Sequence, residues 1–377
     1  MQIHGQCAER FEPVRAAFES NFRERNEVGA SVCVTLAGEP VVDLWAGAAG
    51  PDGSPWREDT IVNVYSTTKT MASLCLLMLA DRGKIEWNAP VARYWPGFER
   101  NGKEGVLVRH VMSHSAGLSG FDPPVTAEDL YDWESIAEHV AAQEPWWTPG
   151  TQSGYHAVTQ GVLQGEIVRQ VAGMSLGTFF RQEVAEPLGA DFHIGLDPVH
   201  DPRVGELIPP KLDLSQGAGR VGGDLSQRTL ESCQMNAREP QKSAWRRAEI
   251  PAAGGIGNAR SVGRIHSALA CGGEVDGVRL LSPAGVETIF EEQTNGPDLV
   301  LGVPVRFGMG FGLKSSAFPI GPNERVCFWG GWGGSLAVID ADAELTVSYV
   351  MNRMEANLMG ELRGGVLVMA AYQALAG

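Results

Sequence analysis

The stretch Asn63–Ile85, NVYSTTKTMASLCLLMLADRGKI, decides how this chain is read. Ser66 and Lys69 stand three residues apart at the mouth of a long apolar run, in a chain with only six lysines. Residues i and i+3 of a helix share one face, so a helix that begins near Ser66 brings hydroxyl and amine together. Residues 71–79 are almost all apolar, which predicts a helix buried on several sides. A lysine there is costly to keep charged, and its pKa should fall. A neutral amine beside a hydroxyl is a general base beside a nucleophile. The helix N-terminus adds N–H donors where an oxyanion would form. Taken alone, the same residues also fit a capping serine followed by a lysine that snorkels to water.

Outward from this helix the chain sorts into strands at both ends and helices in the middle. Residues from about Ala8 to Arg25 read as an amphipathic helix, and the whole opening stretch as polar and helix-like. GASVCVTLAGEPVVDLWAGAAG gives two β-rich runs around Ala37-Gly38-Glu39, a hairpin signal. From Leu107 to Arg260 helical periods are broken by Pro and Gly; TQGVLQGEIVRQVAG and SLGTFFRQEVAEPLG each end on a glycine able to cap a helix. ARSVGRIHSALACGG is a further helix with a glycine stop. RFGMGFGLKSS, RVCFWGG, GSLAVIDA and ELTVSYVMN then read as short strands before a closing helix at about Leu358–Leu375. The simplest assembly pairs the N-terminal hairpin with the C-terminal strands in one antiparallel sheet, with terminal helices covering it and a helical unit inserted between.

The 377 residues fit two packed domains or one large body, and 44% hydrophobic with 20% charged residues is an ordinary globular composition. A formal net charge of −15 argues against nucleic acid and anionic membranes as partners. The start of the chain lacks the pattern of a secretion signal, and no apolar run reaches bilayer length. The six cysteines form no C-x-x-C pair and several lie in apolar runs, so they read as reduced thiols in the cytoplasm. His110 and His114 form the only close histidine pair, H-x-x-x-H, without the glutamate of H-E-x-x-H or a nearby third ligand, so no metal site is expected.

The context of Ser66 and Lys69 carries a resemblance. NVYSTTKTMASLCLLMLADRGKIEWNAPVARYWPGF followed by VRHVMSHSAGLSG resembles the serine β-lactamase and penicillin-binding-protein superfamily, nearest its class C β-lactamases and family VIII carboxylesterases. It continues through PGTQSGYHAVTQGVLQGEIV, PAAGGIGNARSVGRIHSALACGG and FWGGWGGSLAVID, in the family's order and over most of the chain. The resemblance implies an α+β fold of the class C β-lactamase type: an antiparallel sheet flanked by helices, with an inserted all-helical domain. Residues 1–66 and 260–377 would form an α/β domain from both chain ends, and residues 67–259 a mainly helical one. It makes Ser66 the nucleophile and Lys69 its base partner. Tyr155-His156-Ala157 matches the Tyr-x-Asn motif with its tyrosine kept and its asparagine absent. That makes Tyr155 the third catalytic group: next to Lys69 its phenolate would be stabilised, the two could share a proton, and it could deprotonate Ser66 and return the proton to the leaving alcohol. Trp329-Gly330-Gly331 matches the Lys/His-Thr-Gly motif with the glycine kept and the cation gone, as in some family VIII esterases. The family pattern puts the oxyanion hole on the N–H groups of Ser66 and of Trp332, just beyond that motif on an edge strand.

The implied activity is hydrolysis of short-chain carboxylic esters through an acyl-enzyme, without cofactor or metal, on a small-molecule substrate. Acyl transfer and weak β-lactamase or amidase action are alternatives on the same site; a catalytically silent binder is the alternative from another class. Three other features invite misreading. GMSLG (173–177) matches G-x-S-x-G, but a helix precedes it, so Ser175 reads as a helix cap. GGIGNA (254–259) reads as a tight turn rather than a dinucleotide loop. His114 reads as a hydrogen-bonded core histidine. Tyr65, Trp133, Trp146, Trp147, Trp329 and Trp332 are expected near the site, some of them lining an apolar acyl pocket.

Overall fold

The computed structural model describes residues 1–211, 223–356, 358 and 361–377. Its centre is a nine-stranded antiparallel sheet. In spatial order the strands are Ile3–Cys7, Glu39–Gly47, Gly29–Leu36, Leu345–Met351, Leu336–Asp340, Val326–Gly330, Gly312–Leu313, Pro304–Phe307 and Thr294–Pro297. The seam between the two chain ends runs from Leu36↔Leu345 to Ala30↔Met351, with the Thr35 and Thr346 hydroxyls hydrogen-bonded across it at 2.7 Å. The N-terminal hairpin turns at Ala37 (φ 50°) and Gly38 (φ 85°), the two left-handed residues that a tight hairpin turn of matching twist requires.

Both faces of the sheet are covered. Gly263 of the helix Ala259–Ala270 lies so close to Cys33 that an added Cβ would sit 3.1 Å from its sulfur, with Ser348 next to it. Gly364 of the helix Leu362–Ala376 approaches Tyr349 on the opposite face in the same way. The helix Glu12–Glu24 packs beside Leu362–Ala376. Leu345–Met351 is therefore buried at every residue, which is why ELTVSYVMN reads as a continuous run rather than an alternation.

The helix Thr68–Asp81 is buried from Thr68 to Leu79, as its all-round apolar sequence demands, and packs against Thr159–Ala172 and Pro283–Ile289. Thr159–Ala172 ends on Gly173 in the left-handed conformation (φ 71°), and the segment from Leu176 ends on Gly189 in the same way (φ 60°). Short strands lie among these helices: Val62–Asn63, Gly255–Gly257 and Phe192–Ile194 form a small sheet with Gly255–Gly257 in the middle. No helix of the described residues is long and apolar enough to cross a membrane.

Two expectations are corrected. The opening residues are not all helical: Ile3–Cys7 is an edge strand against Glu39–Gly47, and the helix starts only at Glu12. An exposed edge strand needs little apolar alternation, so its sequence carried no strand period. GGIGNA is not a turn. Gly255–Gly257 is a strand, and Asn258 caps the next helix by accepting from Ser261 N at 2.9 Å.

Buried histidines knit the loops around residue 155. His110 Nδ1 accepts from Leu107 N, His114 Nδ1 from His156 N and His156 Nε2 from Leu118 N, each at 3.1 Å. His114 is thus the hydrogen-bonded core histidine expected. Burial pushes His110 down to about 4 and His156 to about 3, and His114 well below the ordinary range. Their folded pKa values lie below the unfolded value near 6.5, so the unfolded chain binds protons first. The stabilisation is complete above about pH 6.5 and is lost as pH falls through about 4 and then 3. Thermal melts between pH 7 and 4 should show Tm falling with acid. His110→Asn, which keeps an acceptor near the Nδ1 position but cannot titrate, should flatten that slope; an unchanged slope would remove His110 from the account.

Candidate active site

Ser66 lies in the short 3-10 turn Tyr65–Thr67 that joins the strand Val62–Asn63 to the helix Thr68–Asp81. The corner is sharp: Tyr65 has φ 44°, a left-handed backbone that costs a residue other than glycine about 1–3 kcal/mol. Several contacts hold it. Thr68 Oγ1 donates to Tyr65 O at 2.5 Å and accepts from Gly255 N at 2.8 Å. Ser335 Oγ donates to Val64 O at 2.8 Å and lies 2.9 Å from Thr67 Oγ1. The Tyr65 ring packs on Trp332, centroids 5.0 Å apart.

Lys69, one turn into the helix, is 1% exposed. Its Nζ stands 3.2 Å from Ser66 Oγ, 2.7 Å from Ala157 O and 2.9 Å from Ala252 O. Burial alone pushes its pKa well below the ordinary lysine value. A neutral amine has two N–H bonds and one lone pair. With both N–H groups on the two carbonyls, the lone pair is left for the Ser66 hydroxyl, the arrangement of a base on its nucleophile.

Tyr155 OH lies 2.6 Å from Ser66 Oγ, and Lys69 Nζ sits 5.0 Å from the centre of the phenol ring. The three groups read from the sequence therefore meet, although 89 residues separate Tyr155 from Ser66. Burial pushes the phenol up rather than down, with smaller contributions in the opposite sense from the hydrogen bond to Ser66 and from Trp329. The phenolate expected from the sequence gives way to a protonated phenol donating to Ser66 Oγ. Without an ammonium beside it, desolvation of the phenolate wins.

Trp329 and Gly330 end the strand Val326–Gly330, and Gly331 and Trp332 lie in the turn beyond it. This is a correction: the strand is interior, between Leu336–Asp340 and Gly312–Leu313. Along this strand Gly312–Leu313 reaches only Phe328 and Cys327, so among the described residues Trp329 and Gly330 keep one side unpaired on an interior strand. The Trp329 ring packs 5.5 Å from Tyr155. Among the described residues neither Ser66 N nor Trp332 N has a hydrogen-bond partner, which leaves both free for an oxyanion. Gly331 passes so close to the Ser66 turn that a Cβ on it would sit 2.1 Å from Val64 O and 2.3 Å from Ser335 Oγ.

Other expectations resolve in place. Ser175 caps its helix, accepting from Thr178 N at 3.3 Å and donating to Glu249 Oε1 at 2.7 Å. Trp133 does not serve the site: it packs on Gly165 and donates to Glu166 at 2.8 Å. Trp146 stacks under Arg228, and Trp147 edges onto His156. The carbonyls of Ala157 and Ala252 escaped sequence reading because a backbone acceptor has no residue type to betray it. Ser335 and Asp298 escaped because nothing local sets them apart from a polar strand start and a turn.

The protein family described as Beta-lactamase matches residues 15–367. The chain belongs to the beta-lactamase family. It is 36% identical over 376 residues to Esterase/beta-lactamase LipL of Mycobacterium tuberculosis, covering 94% of this chain and 83% of the relative. The crystal structure of a family VIII carboxylesterase superposes with a TM-score of 0.93 at 41% identity, covering 99% of this chain and 100% of that one. A penicillin-binding protein homolog from Caulobacter crescentus superposes with a TM-score of 0.91 at 37% identity, over 99% of this chain and 100% of that one. Within this beta-lactamase fold, Gly331 is where the turn carrying Trp332 N meets the turn carrying Ser66 N. Gly331→Ala should push the two apart. We expect a fall in kcat of about a hundredfold, the range for loss of one oxyanion donor, in a variant that still folds. Parent-like kcat would place the second donor elsewhere.

Proposed function

We propose that the protein is a serine carboxylesterase that hydrolyses short, neutral carboxylic esters through an acyl-enzyme on Ser66. The observation that carries this reading is Ser66 Oγ held between Lys69 Nζ at 3.2 Å and Tyr155 OH at 2.6 Å, with the amine kept uncharged by burial. Ser66 Oγ attacks the ester carbonyl while its proton passes to Lys69. The carbonyl oxygen gains charge toward the N–H groups of Ser66 and Trp332. Tyr155 gives its proton to the departing alcohol and recovers one from Lys69, which restores the resting state around an acylated Ser66. A water molecule then repeats the sequence and releases the acid. A binding protein that merely kept the fold would have no use for a buried amine facing a hydroxyl. The esterase names of the similar proteins point the same way.

Substrate class follows from what the site lacks. Ala157 has no side-chain hydrogen bond to offer an amide, and Trp329 offers no cation to a carboxylate. A β-lactam forgoes both contacts, each worth roughly 1–3 kcal/mol. A neutral ester needs neither. Trp329 beside Tyr155 and Trp332 beside Tyr65 narrow the acyl slot toward short chains. As part of the same reading, residues 1–66 with 260–377 form one unit, residues 67–259 a mainly helical second one, and the site lies between them. The six free cysteines support a reducing, cytoplasmic setting.

The test compares kcat/KM for p-nitrophenyl acetate or butyrate with a long-chain ester and with nitrocefin. Short esters should lead both by at least about tenfold, and Ser66→Ala should abolish turnover while Ser175→Ala leaves it intact. Nitrocefin turnover equal to that of the short esters would sink the substrate class. Activity that survives Ser66→Ala would sink the mechanism.

A further inference from the structure

Tyr155 must hold its phenol 2.6 Å from Ser66 Oγ, yet residues 153–156 belong to no helix or strand. Something outside the loop has to fix it. The strands Thr294–Pro297 and Pro304–Phe307 at the far edge of the large sheet form a hairpin whose tip folds against this loop. Leu299 N donates to Ser153 O at 2.9 Å, and Tyr155 N donates to Asp298 Oδ1 at 3.0 Å. The same oxygen accepts from Val300 N and Leu301 N, each at 2.9 Å. Asp298 is 1% exposed. The Tyr155 ring packs in a cluster with Val300, Val305, Phe307 and Trp329, so the hairpin grips both the main chain and the side chain of this residue.

We propose that Asp298 is the positioning residue for Tyr155: one carboxylate oxygen gathers the hairpin tip and the Tyr155 N–H into a unit that sets the reach of the phenol to Ser66. This rests on the proposed role of Tyr155. Three N–H donors on one oxygen need an acceptor with no proton of its own at that position. Without it, three buried donors lose their partner and the loop is free to shift. A displacement near 1 Å at a reacting group costs about a hundredfold in rate. The negative charge of Asp298 also adds to the burial that keeps the phenol protonated, and so a donor to Ser66. Asp298 Oδ2 has no hydrogen-bond partner among the described residues, so an asparagine that keeps its oxygen at the Oδ1 position breaks no bond there.

The variants to compare are Asp298→Ala and Asp298→Asn, with p-nitrophenyl butyrate as substrate. Asp298→Ala should lower kcat about a hundredfold with KM changed by less than about threefold, the pattern of a lost transition-state contact. Asp298→Asn should recover most of that kcat. A parent-like kcat in Asp298→Ala, a loss confined to KM, or an asparagine variant as impaired as the alanine one would each overturn the proposal. If Asp298→Ala does not fold, Asp298→Leu, which fills the buried position but accepts no hydrogen bond, takes its place: a kcat loss of the same order supports the role, and parent-like kcat refutes it. A second readout needs no turnover. In protein labelled at tyrosine 13Cζ, with the signal assigned by Tyr155→Phe, the Tyr155 resonance should keep its position near neutral pH in Asp298→Asn and shift and broaden in Asp298→Ala. A parent without esterase activity would contradict the functional reading, while a Tyr155 resonance indifferent to both substitutions would contradict this one.

Discussion

The structure depends on keeping one lysine amine out of water. Lys69 is buried, and burial alone drives its pKa down. An isolated ammonium in such a place carries a desolvation penalty of several kcal/mol. Burial therefore favours the neutral amine, and the geometry fits that form. Ala157 O and Ala252 O take its two N–H groups and leave the lone pair for Ser66. The two carbonyls belong to loops far apart in sequence, so the helix Thr68–Asp81, the Tyr155 loop and the segment before Gly255–Gly257 must all be in place before the lysine is satisfied.

That requirement explains features that otherwise look unrelated. Asn63 Nδ2 donates to Ala253 O at 3.0 Å, which fastens the Ala252 loop to the strand that feeds Ser66. Gly255 has no Cβ because one would sit 2.4 Å from Thr68 Oγ1. Tyr65 tolerates its left-handed backbone because Thr68 and Ser335 hold the carbonyls on either side of its peptide. Ser335 joins the Ser66 turn to the Trp332 turn: its side chain bonds Val64 O, and its carbonyl accepts from Gly331 N at 2.8 Å. The nine-stranded sheet supplies the rigid frame from which that turn projects.

Much of this was legible in the sequence, for identifiable reasons. The helix Thr68–Asp81 announced itself because a run apolar on every side fits a buried helix. The hairpin at Ala37-Gly38 and the glycine stops at Gly173 and Gly189 were legible because left-handed turns narrow the choice of residue. Tyr155 and the Trp329–Trp332 turn came only through family resemblance, since nothing in their own spacing marks them. Ile3–Cys7 was missed because an exposed edge strand pairs through backbone groups. Gly255–Gly257 was missed because three residues rich in glycine carry no period. The protonation of Tyr155 was misjudged because a neighbouring lysine was assumed to lend its charge, whereas the depth that neutralises Lys69 also suppresses the phenolate. Asp298 and the carbonyls of Ala157 and Ala252 act through contacts that only the folded chain creates.

The neutral amine is the central claim, and it can be observed directly. With six lysines in the chain, a 13Cε-lysine NMR spectrum is small enough to assign in full, Lys69→Arg identifying the signal in question. On titration, Lys69 should change charge well below the exposed lysines and stand neutral at the pH of catalysis, with activity rising as it loses its proton; Lys103, which burial also lowers, to about 8, is the internal comparison. A Lys69 signal that titrates together with the exposed lysines, near the ordinary value of about 10.4, would contradict the account and turn Ser66 over to a different base.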